Sequence, residues 1–137
     1  MTMIYVTGAD GFIGKHLTKK LEEVGMSWVS LPREKKNRTW LDFEIQAGST
    51  CIHLAGQSEI KLFLDNAEYL IKETINLALD LIKMNFSQIL FASSGLVYGD
   101  KSSKPHLEDE TVTADHPYSL AKLEAEKIFL NEGCVVL

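Results

Sequence analysis

Apolar positions change their period along the chain, and each change marks a new element. Met3, Ile4, Tyr5, Val6 and Thr7 form a short, mostly apolar run that stops at Gly8. Such a run suits a buried parallel strand. Ile13, Leu17, Leu21 and Val24 then recur at helical spacing, and Gly25 stops that helix. Ser27–Leu31 reads as a second strand closed by Pro32, Trp40–Phe43 as a very short third and Thr50–Leu54 as a fourth. A helical pattern covers 65–84, with adjacent stripes Leu70/Leu77/Leu81 and Ile71/Ile75/Ala78/Ile82. That face is wider than one sheet-facing stripe needs, so a second surface should cover part of it. Gln88–Ala92 reads as a fifth strand, Tyr118–Asn131 as a helix ended by Gly133, and Cys134–Leu137 as the start of a sixth strand. Strands alternating with helices imply a parallel sheet with right-handed crossovers.

Composition narrows the classes. The chain has 137 residues, 45% hydrophobic and 24% charged, with a formal net charge of −5. It has ample apolar material for a core, which excludes disorder. The acidic balance argues against nucleic-acid binding, and no apolar run approaches a membrane span. Cys51 and Cys134 sit in apolar runs and read as free thiols of a reducing, cytoplasmic setting. His53 reads as a packing residue, His16 as exposed, and His106 and His116 as solvated loop residues. Nothing has metal-ligand spacing.

Three motifs carry chemistry. Thr7-Gly-Ala-Asp-Gly-Phe-Ile-Gly14 repeats glycine at every third position between a strand and a helix. Glycine there permits a tight turn and close approach of backbone to phosphate, and the helix N-terminus offers free N–H groups. Tyr118-Ser-Leu-Ala-Lys122 puts a phenol and an ammonium on one helix face. A nearby cation favours a phenolate, as general acid/base work requires. Ser93-Ser-Gly-Leu-Val-Tyr-Gly99 follows the fifth strand, where an open α/β sheet lines its ligand crevice. Each motif also has a plain structural reading: a packing turn, a solvated Tyr/Lys pair, a serine-rich turn.

Taken together, TGADGFIG, His53-Leu-Ala-Gly56, SSGLVYG and YSLAK, in that order, resemble the extended short-chain dehydrogenase/reductase family, specifically its nucleotide-sugar epimerase and dehydratase branch. The resemblance covers nearly the whole chain. It implies a Rossmann-type, doubly wound parallel sheet with strand order 3-2-1-4-5-6. It places Gly8, Gly11 and Gly14, with Phe12 and Ile13, at the pyrophosphate of NAD(P), Asp42 and Phe43 at adenine, and Leu54, Ala55 and Gly56 near the nicotinamide ribose. Ser94 matches the catalytic Ser/Thr, Tyr118 the catalytic tyrosine, and Lys122 the lysine that holds the ribose and assists the tyrosine.

The departures are also informative. Pro32 and Arg33 stand where NAD-dependent members carry an acidic residue, and an arginine suits a 2′-phosphate, which favours NADP. Leu70 and Glu73 replace a common Asn and Gly, and Gly95-Leu96 replace the Asp-Glu typical of 4,6-dehydratases. The expected activity is NAD(P)-dependent oxidoreduction or epimerisation at a sugar carbon of a nucleotide sugar. The competing readings are a non-catalytic dinucleotide-binding module and a reductase of a non-nucleotide carbonyl. The resemblance further implies a homodimer through the helices at 65–84 and 118–132. It also makes 1–137 one cofactor-binding domain, truncated before a C-terminal substrate lobe.

Overall fold

A computed structural model describes residues 2–32, 40–99 and 104–137. The elements run β1 (Ile4–Thr7), α1 (Phe12–Glu23), β2 (Trp28–Leu31), a 3-10 turn (Trp40–Asp42), β3 (Thr50–His53), α2 (Ile60–Asp65) and α3 (Ala67–Lys83). After these come β4 (Gln88–Phe91), a second 3-10 turn (Gly95–Tyr98), α4 (Pro117–Asn131) and β5 (Val135–Val136). The strands form one parallel sheet in the order β2-β1-β3-β4-β5.

Both sheet faces are covered, as a doubly wound fold requires. Ile4 and Val6 pack with Leu17 and Leu21 of α1. Tyr5, Cys51, Ile89 and Phe91 point the other way, into a core with Ala78 and Leu81 of α3 and Ala125 and Phe129 of α4. This explains why every residue of β1 is buried: it is a central strand with both faces dry. Burial also pushes the Cys51 thiol up to about 12, so it stays protonated and inert.

The expected third strand, Trp40–Phe43, is instead a 3-10 turn, and the sheet has five strands among the described residues. Four residues are too few to separate period 2 from a turn. Trp40 is fully buried, and its indole N–H donates to the Pro32 carbonyl at 2.8 Å. With that segment removed, the remaining order is the expected one. The helix expected at 65–84 is α3, Ala67–Lys83, and the short α2 before it, Ile60–Asp65, was not expected. The wide apolar face of α3 meets α4 as well as the sheet, so the second covering surface lies within the same chain. Among the described residues no helix is long and apolar enough to cross a membrane.

The order turns from β1 towards β2 on one side and towards β3 on the other. In open α/β sheets a ligand crevice lies at this reversal, beyond the carboxyl ends of the strands.

Candidate active site

At the reversal the chain lies close to itself, and glycine makes this possible. Gly8 has φ +71°, and a Cβ there would stand 2.9 Å from the Ala55 amide nitrogen. A Cβ on Gly14 would stand 2.1 Å from the Gly8 carbonyl oxygen and 2.6 Å from that of Ala9. Gly11 is the N-cap of α1, with no side-chain cap and no acidic residue in the first turn. The first-turn amides therefore have no helical partner and meet no competing carboxylate. Phe12 and Ile13 are 82% and 61% exposed beside them. A bare main-chain cradle at a helix N-terminus fits the pyrophosphate of a dinucleotide.

One buried hydroxyl ties β1 to β3. Thr7 Oγ1 accepts from the Leu54 and Ala55 amides, both at 3.1 Å, and lies 2.7 Å from His53 Nδ1. Two amides fill its acceptor positions, so its own hydrogen goes to Nδ1. The imidazole is thus neutral, with its proton on Nε2. Burial, with a smaller contribution from the Lys122 charge, brings the His53 pKa down to about 3. The rings of Trp40, Phe91 and Phe129 surround it.

The facing wall is α4. Pro117 opens the helix, and His116 and Ser119 form a reciprocal capping box in which His116 accepts from the Tyr118 amide. Tyr118 stands edge-on to the buried Phe63 at 5.3 Å. One turn on, the Lys122 ammonium donates to the Ala92 carbonyl at 3.0 Å and sits 4.8 Å above the Phe91 ring. Burial holds its pKa below the ordinary lysine value, and the charge of Glu126 partly opposes this. Glu126 itself accepts a hydrogen bond from the Ser93 hydroxyl. Tyr118 and Lys122 line one cleft with His53, Ala55, Gly56 and Phe63.

Residues 4–133 match the model of the NAD dependent epimerase/dehydratase family. The chain belongs to that family. It is 33% identical to a GDP-6-deoxy-D-mannose reductase of Pseudomonas aeruginosa, over 95% of this chain and 47% of that protein. It is 30% identical to a UDP-glucose 4-epimerase of Dictyostelium discoideum, over 96% of this chain and 47% of that protein. Its fold superposes on the structure of RMD from Pseudomonas aeruginosa complexed with NADPH, with a TM-score of 0.79 and 28% identity, covering 98% of this chain and 52% of that one. The chain therefore spans about half the length of the curated relatives it matches.

The positions expected from the epimerase/dehydratase pattern fall into three groups. Gly8, Gly11, Phe12, Ile13 and Gly14 form the cradle, Leu54 and Ala55 lie against its far side, and Gly56 follows them into the cleft. Tyr118 and Lys122 share the cleft with Ala55 and Gly56. Ser94 starts the second 3-10 turn, which packs on α4, and its hydroxyl accepts from the Leu96 amide at 3.3 Å. Its neighbour Ser93 is engaged with Glu126, so Ser94 keeps the freer hydroxyl of the pair. Asp42 lies in the first 3-10 turn, and Phe43, just after it, packs against the main core. Arg33 lies outside the described residues.

Sequence reasoning missed Thr7, Ser93 and Glu126. Glu126 had a signal, since it stands one further turn beyond Lys122 on the same helix face. Thr7 and Ser93 had none, because their partners lie tens of residues away. His106 and His116 are not merely solvated: His106 stacks on Tyr98 and pairs with Glu110, and His116 caps α4.

Proposed function

We propose that this chain is the cofactor-binding and acid/base part of an NAD(P)-dependent enzyme that oxidises, reduces or epimerises a sugar carbon of a nucleotide sugar. The supporting observation is the shared cleft of Tyr118 and Lys122, opposite the Leu54–Gly56 segment that backs the glycine cradle. A bound dinucleotide supplies hydride chemistry there. Tyr118 exchanges a proton with the sugar hydroxyl or carbonyl. Ser94 binds the same oxygen and orients it. Lys122 holds the nicotinamide ribose and assists Tyr118. Asp42 and Phe43 contact adenine. Arg33 favours the 2′-phosphate of NADP, and titration with NADPH and NADH, repeated on Arg33→Ala, tests that preference.

The decisive variant is Tyr118→Phe in the full-length protein. Turnover of a panel of nucleotide sugars falls about a thousandfold while cofactor affinity is kept, on the usual scale for losing a general acid/base. Near-normal turnover overturns the assignment. A second reading, a dinucleotide-binding module without catalysis, is favoured by one observation: Ser94 is not among the described residues that line the Tyr118/Lys122 cleft. Cofactor binding without turnover in the full-length protein would select it.

The chain also pairs as a homodimer in this reading, through α3 and α4. Tyr69 on α3 is 67% exposed, and Leu120 on α4 is 39% exposed. A monomer with no concentration dependence in sedimentation counts against this. The two unpaired thiols suit a reducing, cytoplasmic setting.

A further inference from the structure

The residues that follow β4 are held from several directions. The Ala92 amide donates to the His53 carbonyl at 3.1 Å, and the Ala92 carbonyl receives the Lys122 ammonium at 3.0 Å. The Ser93 amide donates to the Leu137 carbonyl at 3.0 Å. The Ser93 hydroxyl donates to Glu126, one turn beyond Lys122 on α4. The Ser94 hydroxyl caps the next turn. So α4 grips this strip twice with consecutive turns, once with a cation on a carbonyl and once with a carboxylate on a hydroxyl.

We propose that Glu126 is a positioning residue of the site: it fixes Ser93, and with it the Ala92–Ser94 strip that seats the Lys122 ammonium and presents Ser94. Glu126 touches no substrate in this arrangement and acts through Ser93 and Lys122. The second half of its role is electrostatic. Lys122 is largely buried and shares its cleft with the titratable groups His53 and Tyr118. His53 is neutral, so it offers no countercharge. The Glu126 carboxylate favours the charged form of Lys122, against its desolvation. The inference rests on the functional reading above only for what the seated ammonium is used for.

The test separates the two. The carbon-13 resonance of the Lys122 side chain, assigned with Lys122→Arg, is titrated in the 137-residue chain and in Glu126→Gln, Glu126→Ala and Glu126→Asp. The Lys122 midpoint moves to lower pH in Gln and Ala and returns towards the parent value in Asp. Melting curves identify any variant that fails to fold, and the isosteric Gln variant then decides. NADPH or NADH affinity, measured alongside, weakens about tenfold in Glu126→Ala, the effect of about 1.4 kcal/mol. An unmoved Lys122 midpoint in Glu126→Gln overturns the proposal, whatever the affinity does. If the parent chain binds neither dinucleotide, the functional reading fails while the Lys122 titration still decides the role of Glu126.

Discussion

The glycine cradle and the α4 wall both adjoin Ala55, the first from behind and the second across the cleft, but they are held by opposite means. The cradle is main chain against main chain: Gly14 lies under the Gly8 and Ala9 carbonyls, and Gly8 lies against Ala55. Its geometry depends on side chains being absent. The wall is made of side chains that carry charge: Lys122 on the Ala92 carbonyl and Glu126 on Ser93. A packed backbone admits no added atom, whereas a charged contact can be weakened in steps. The cradle should therefore fail in folding and the wall in chemistry.

The largest expected effect attacks the cradle. Gly14→Ala places a Cβ at 2.1 and 2.6 Å from two carbonyl oxygens that cannot rotate away. It should cost about 4 kcal/mol or more, beyond ordinary overpacking, read as a fall in the thermal midpoint. Gly11→Ala, whose closest contact would be 3.2 Å, is the control and should cost well under half of that. A normal melting curve for Gly14→Ala would break the comparison.

A smaller effect tests the hinge between the two regions. His53 is neutral when folded, with a pKa of about 3 against an ordinary value of 6.5. The unfolded chain takes up a proton between those values and the folded chain does not. Stability from this group is thus complete above about pH 6.5 and is lost as pH falls towards 3. The loss should reach about 3 kcal/mol by roughly pH 4.5. Urea titrations at several pH values measure the slope, and His53→Phe should flatten it. An equal slope in both proteins would remove His53 from the account.

The smallest effect on stability comes from the wall. Lys122→Met removes a desolvated cation and keeps an apolar stem over Phe91. Stability should change by no more than about 1 kcal/mol in either direction, while dinucleotide affinity falls clearly. Unfolding of Lys122→Met would show that the wall, too, is structural.

The same contrast explains what could be read in advance. The β1–α1 junction was legible because most of its constraint is local: Gly11 and Gly14 pack on the Gly8 and Ala9 carbonyls, and only the contact of Gly8 with Ala55 comes from afar. The Tyr118/Lys122 face was legible for the same reason. The Trp40–Phe43 segment was misread because three apolar residues in four suit a strand as well as a turn. The deciding bond runs back to Pro32. The short α2 went unread, since the six residues from Ile60 to Asp65 are too few to set a helical period. Thr7 with Ala55 and Ser93 with Glu126 are 48 and 33 residues apart. Only the sheet order brings such pairs together.

The Thr7 hydroxyl has an effect beyond joining two strands. Two amides oblige it to spend its hydrogen on His53, which fixes the ring as a one-way partner. Whatever meets the free edge of that imidazole finds a hydrogen and never a lone pair. Of the three titratable side chains that line the cleft among the described residues, one is therefore barred from accepting a proton near neutral pH, and another is engaged with Ala92. In the proposed reaction, a threonine on a central strand thereby leaves proton transfer to the phenol across the cleft.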